Sequence, residues 1–485
     1  MKRSILIALL ISVILATSAL VGNLQFATVK GETQVSGILS SDTTWTKANS
    51  PYTLTGNFLV SNGVTLAIQP GVSVDLNSYY IMVNGTLDAR GTSADQISIS
   101  GGELTFTQFS TEWNESTGSG CRIENALIAV PSLSPVNSIK ISNCTLNAQV
   151  SVDHSSTVTN SIITQEINVN GYSMLSNSEV KAAVVVSGFS VVSSNTITGG
   201  VRANGLSVVT NNIIKNSIPN GGTGLTCTSN ASASHNIISG WDSGITIDSL
   251  FFVDGGYPVV EDNLILNNTI GIAVYVFRRG WVGTNIPTIQ NNAIYNNSKG
   301  IKFSISLQES YSGFPPTIIQ NNTISQNDIG IELGGELYNS YCTVQHNNIQ
   351  NNANYSLYLT ASTDYNATHN WWGTTDTAAI EQSIYDYDND FTLGRVTFIP
   401  VLAELNSAAP EIPPEPTLPP SPSASPSPSN SPTETPSPNP TDTETPTPTP
   451  SIPEFPVLLA PALFMAAAVI AALVYKKKQL KPLRY

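Results

Sequence analysis

A short unit, Asn-x-Ile, returns along most of this chain at nearly constant spacing, and that period constrains the fold more than any other feature. The Asn positions are Asn125, Asn143, Asn160, Asn177, Asn195, Asn212, Asn236, Asn263, Asn292, Asn322, Asn347 and Asn370. Two residues on stand Leu127, Ile162, Ile197, Ile214, Ile238, Ile265, Ile294, Ile324, Ile349 and Trp372. Thr145 and Glu179 break the rule, and there an aliphatic residue follows one place later. The early spacings are 18, 17, 17, 18 and 17 residues; the later ones are 24, 27, 29, 30, 25 and 23. Units of this length are too short for strand-helix repeats, and alternating residues such as Ile245 and Ile247 have the period of half-buried strands. Asn and Gly supply left-handed turn positions. The expectation is a coil of short strands in which the Asn amides stack into a ladder and aliphatic residues fill the interior.

Gly-Ile stands eight residues after the Asn at Gly244, Gly271, Gly300 and Gly330, with Tyr355 expected in the same slot one unit later. The later units carry extra residues: Ser249 to Val259, Val276 to Thr288, Ile305 to Ile318, and Gly335 to Thr343. All leave the coil at the same phase, so they are expected on one face. Aromatic and Arg side chains there suit sugar rings and their polar groups. Tyr257, Phe277, Arg278, Arg279, Trp281, Tyr311, Phe314 and Tyr338 are the candidate ligand-binding residues.

The pattern resembles the right-handed parallel β-helix repeat family, which includes pectate-lyase-like enzymes, carbohydrate-binding and sugar-hydrolase repeats, and NosD-like copper proteins. Residues 52–92 look like its first coils and 366–402 like its terminal segment. The resemblance implies an all-β fold over 33–404 and leaves activity open, because the fold hosts many functions. Two ends of a solenoid need caps; Trp45 and Trp371-Trp372 are the candidates.

The ends of the chain read differently. Lys2 and Arg3 precede an apolar run from Ile5 to Leu20, which predicts a signal peptide over 1–27. Residues 410–450 hold 16 Pro and 15 Ser/Thr, so 405–453 is expected to be a disordered linker. Val457 to Tyr475 carries no charge and is followed by Lys476, Lys477, Lys478, Lys481 and Arg484. That predicts a C-terminal transmembrane helix within 454–485, a basic cytoplasmic tail and a cell-surface location. Pro453-Glu454-Phe455-Pro456 resembles archaeal C-terminal sorting signals, which implies exchange of that helix for a lipid anchor.

The chemistry-bearing residues give weaker patterns. Net charge is −14, from 20 Lys+Arg against 34 Asp+Glu, which argues against a nucleic-acid partner. Asp386, Asp388 and Asp390 alternate, as oxygen ligands for Ca²⁺ can, although Phe391 and Thr397 depart from an EF-hand loop. No other cofactor is indicated. His235, His346 and His369 each precede a ladder Asn, without the third ligand a metal site needs. Four Cys at different coil phases indicate no disulfide pairing. Nine sequons, among them Asn84, Asn114 and Asn366, admit glycosylation. The first expectation is a binding or structural role: adhesion, extracellular glycan contact or an envelope layer. The alternative is a polysaccharide lyase or glycoside hydrolase, which for hydrolysis needs two carboxylates about 5–9 Å apart.

Overall fold

The computed structural model describes residues 31–413 except 217–220, 249–257, 279–286, 308–315 and 336–341; at 276–278 and 305–307 it describes the backbone alone. All of these residues fall in one compact unit. The fold is an all-β parallel solenoid. Each full coil contributes one strand to each of three stacks. The first stack is a 14-stranded parallel sheet running from Thr43–Trp45 to Cys342–Gln345. The second runs from Ser73–Asp75 to Asn348–Gln350, and the third from Thr33–Leu39 to Ile384–Tyr385. These two join as one 29-stranded sheet because Tyr52–Val60 pairs with both Ser73–Asp75 and Tyr80–Val83.

Alternation along each short strand sends one set of side chains inward. In the first stack these form the column Ile141, Val158, Leu175, Val192, Val209, Ala233, Val260, Ile289, Ile319 and Val344, each fully buried. Leu146, Ile163, Val180, Ile197, Ile214, Ile238, Ile265 and Ile294 do the same in the second stack. At about 4.8 Å per level, fourteen levels give a core on the order of 60 Å long.

Most of the undescribed segments share one place in the topology. Those at 249–257, 279–286, 308–315 and 336–341 each follow a third-stack strand and precede a first-stack strand. The third-stack strands that lead into them are long: Ile270–Arg278, Lys299–Leu307 and Ile329–Gly335.

Aromatic residues close both ends. Trp45 stacks on Tyr52 with centroids 4.7 Å apart and meets Phe58 at 5.5 Å. At the other end Trp372 is buried edge-on against Phe398 at 6.4 Å, and Trp371 Nε1 donates to Gln350 Oε1 at 2.9 Å. Packing continues past residue 404. Asn406 N–H donates to Asn348 Oδ1 at 2.8 Å, its amide donates to Asn321 Oδ1 at 3.1 Å, and Ala409 is buried. The chain therefore runs back across two coils after the solenoid ends.

One expectation is corrected. Among the described residues no helix is long and apolar enough to cross a membrane. The α-helix there, Thr377–Gln382, has six residues. The transmembrane helix, the membrane partner and the single-pass or lipid-anchored surface location inferred from it are therefore not carried forward. The segment 454–485 on which they rested lies outside the described residues, as do 1–27 and all of the Pro-rich tract after 413.

Candidate binding face

Each turn between the first and second stacks uses two adjacent residues for two jobs. The first residue takes a left-handed conformation. Asn125, Asn143, Asn160, Asn177, Ser194, Asn211, His235, Asp262, Asn291, Asn321, His346 and His369 all have φ between 50° and 60°. Asn, Asp and His tolerate this region better than most residues do. The next residue points inward and is buried: Ser161, Ser178, Asn195, Asn212, Asn236, Asn263, Asn292, Asn322, Asn347 and Asn370.

The inward column is a hydrogen-bonded ladder. The backbone N–H of each rung donates to the side-chain oxygen of the next, from Cys144 onto Ser161 at 3.1 Å through to Asn347 onto Asn370 at 2.9 Å. Each Asn amide also donates to a carbonyl of the preceding coil, as Asn292 Nδ2 does to Val260 O at 2.9 Å, and Asn292 Nδ2 reaches Gln290 O in its own coil at 2.9 Å. Of the twelve Asn read as one ladder, the structure joins eight, Asn195 to Asn370. Asn125, Asn143, Asn160 and Asn177 occupy the left-handed column one residue earlier. That one-residue offset is why Thr145 and Glu179 broke the aliphatic rule.

A second ladder, between the second and third stacks, was not identified from sequence. Trp241 N–H donates to Asn268 Oδ1 at 3.0 Å, and the relay continues through Asn297 and Asn327 to Asn352. Its left-handed partners are Gly240, Asn267, Asn296, Gln326 and Asn351. The signal was the Asn-Asn pairs at 267–268, 296–297 and 351–352. After this turn Ser356, not Tyr355, lies beside Gly330, because the last coil has one more residue between Asn352 and the strand.

The outer surface of the third stack brings polar and aromatic groups together. Ala273, Lys302, Glu332, Tyr358 and Tyr385 lie in register on successive strands. Glu332 is only 9% exposed, with Lys299 Nζ 2.5 Å from Oε2 and Lys302 Nζ 3.4 Å from Oε1. This trio keeps one net positive charge. Tyr358 stacks on Tyr385 at 4.4 Å, and Tyr355 stands at 54° and 70° to them, 5.5 and 5.3 Å away. The Tyr358 hydroxyl is pushed up in pKa by desolvation and then by Tyr385 and Glu332, so it remains a donor at neutral pH. Half-buried rings one strand away from the Lys–Glu–Lys group form a platform for a polar ring with one apolar face.

The residues expected to bind ligand are placed only in part. Phe277 and Arg278 end the strand Ile270–Arg278, where the backbone pairs with Ser306 and Leu307. Tyr257, Arg279, Trp281, Tyr311, Phe314 and Tyr338 lie outside the described residues.

The three candidate Ca²⁺ ligands have separate partners. Asp386 accepts the N–H groups of Asp388 at 3.0 Å and Val396 at 2.7 Å. Asp388 pairs with Arg395 at 2.8 Å. Asp390 accepts the backbone and then the hydroxyl of Thr392, which lowers its pKa. The His346 and His369 rings lie 6.0 Å apart, and His235 Nε2 is 4.0 Å from Asp262 Oδ2. Among the described residues no three His, Cys, Asp or Glu side chains converge as a metal cage does. All four Cys are free and buried; burial pushes the Cys121 and Cys144 thiols up to about 11, and those of Cys227 and Cys342 up to about 12.

Compared with known proteins, no family model, no curated protein and no solved structure matches the chain.

Proposed function

We propose that this chain is a glycan-binding solenoid scaffold, with the outer surface of the third stack as its binding face. The observation that carries the reading is that Lys302, Glu332, Tyr358 and Tyr385 lie in register on successive strands, with Lys299 also paired to Glu332 and Tyr355 packed against the other two rings. A sugar ring stacks its C–H face on tyrosine and gives its hydroxyls or a carboxylate to the ammonium groups. The solenoid repeats at about 4.8 Å, so neighbouring coils can present successive groups to an extended chain. A right-handed coil and kinship with the pectate-lyase-like and NosD-like repeats belong to the same reading.

The test is a glycan array probed with the full chain, followed by affinity measurement on the best-retained oligosaccharide. Tyr358→Ala and Lys302→Ala are expected to weaken binding about tenfold each, the loss of roughly 1.4 kcal/mol, with melting temperature little changed. Retention of no glycan, or unchanged affinity in both variants, refutes the reading.

A further inference from the structure

The turn from the third stack back to the first carries a feature that neither the fold nor the glycan reading uses. In this turn a left-handed residue is followed by an outward side chain and then a small buried residue. The outward slot holds Ser155, Tyr172, Phe189, Leu206 and Asn230 on five successive coils. Tyr172 is 66% exposed, Phe189 52% and Leu206 48%, and the Tyr172 and Phe189 rings stack at 5.0 Å within 2° of parallel. Met174 is exposed beside them.

The coil does not require apolar side chains there. The slot's N–H donates to the carbonyl of the preceding coil whatever the residue: Tyr172 to His154, Phe189 to Gly171, Leu206 to Gly188 and Asn230 to Gly205, at 2.6–2.9 Å. Ser155 and Asn230 show that a polar residue completes the same turn. Three adjacent large apolar groups at an exposed slot mark an interaction surface.

The charge pattern selects the partner. Residues 170–178, 187–195 and 204–212, which make these turns and the adjoining first-stack strands, contain no Asp, Glu, Lys or Arg. The whole chain carries −14, so two copies repel over most of their surface and approach at least cost along an uncharged strip. No charged group lies within these segments to orient a polar ligand. The ridge is also self-complementary about its middle residue.

We propose that this ridge is a self-association surface. Two copies pair with their ridges antiparallel, Phe189 on Phe189 at the two-fold axis and Tyr172 of each against Leu206 of the other. A closed two-fold contact of this kind uses the same patch twice. The patch is small, so the dimer is transient and populates as concentration rises.

Sedimentation velocity of the full chain over a concentration series tests this. The native chain is expected to pass from monomer to dimer, and more readily at higher salt, which screens the repulsion. The triple variant Tyr172→Asn, Phe189→Asn, Leu206→Asn, with the residue the slot already holds at 230, is expected to stay monomeric with an unchanged melting temperature. Phe189→Cys is expected to cross-link two chains on mild oxidation, since the four native Cys are buried. A native chain that stays monomeric throughout, a dimer that survives the triple variant, or no cross-link through residue 189 overturns the proposal.

Discussion

Asn263 gives both its backbone N–H and its side-chain amide to one oxygen, Oδ1 of Asn292, each at 3.0 Å. Both residues are buried. Asn292→Ala removes that acceptor and also the amide that serves Val260 and Gln290. A buried donor left without a partner costs about 1–3 kcal/mol, so the variant is expected to lose roughly 3–4 kcal/mol in chemical denaturation.

The residue one place earlier in the turn obeys a different rule. Asn177 is exposed at φ 51°, where backbone geometry is the constraint. Asn177→Gly is expected to leave stability within about 0.5 kcal/mol, whereas Asn177→Val costs about 1–2 kcal/mol from the left-handed strain on a branched side chain. Thermal melts of the pair distinguish this from a ladder role, in which both variants fall together.

The glycines at 244, 271, 300 and 330, stacked on successive third-stack strands, are held by contact and not by conformation. A Cβ on Gly300 would lie 2.5 Å from Gly330 O and 2.9 Å from Ile324 Cγ2. Gly300→Ala is expected to destabilise by about 2–3 kcal/mol, the cost of overpacking. Gly63, with open space at its Cβ but φ 75°, loses about 1–2 kcal/mol as Ala, through strain alone. Equal losses at both sites contradict this assignment.

The buried thiols make stability depend on pH at the alkaline end. Folding raises their pKa from 9 to about 11 for Cys121 and Cys144 and to about 12 for Cys227 and Cys342. The unfolded chain therefore releases protons first. Their contribution is complete below pH 9 and is lost as pH rises from 9 through 11 to 12. Each Cys contributes a slope of about 1.4 kcal/mol per pH unit within its window. Replacing Cys227 by Ala is expected to make the decline shallower by one such slope; an unchanged decline refutes the linkage.

The solenoid was legible in the sequence because each coil repeats its own chemistry. The isoleucines at 214, 238, 265, 294 and 324 and the Asn two residues before each mark one inward column. The early coils were read one residue out of phase, since Asn serves both as a left-handed residue, at Asn143, and as a ladder rung, at Asn195. Spacing alone does not separate those uses; the displaced aliphatics Leu146 and Val180 do. The tyrosine platform was not legible. Tyr385 reaches Tyr358 across an intervening helix and turns, a contact that no repeat spacing encodes. The burial of Glu332 was not legible either, because its lysine partners come from the previous coil.

The most direct test of the account is hydrogen–deuterium exchange of the full chain with and without the best-retained oligosaccharide from the array. The binding face predicts slowed exchange at 299–304, 329–335, 355–359 and 384–385, with no change at 170–195. Slowed exchange confined to other coils, or none at saturating ligand, contradicts the placement of the site on the third stack.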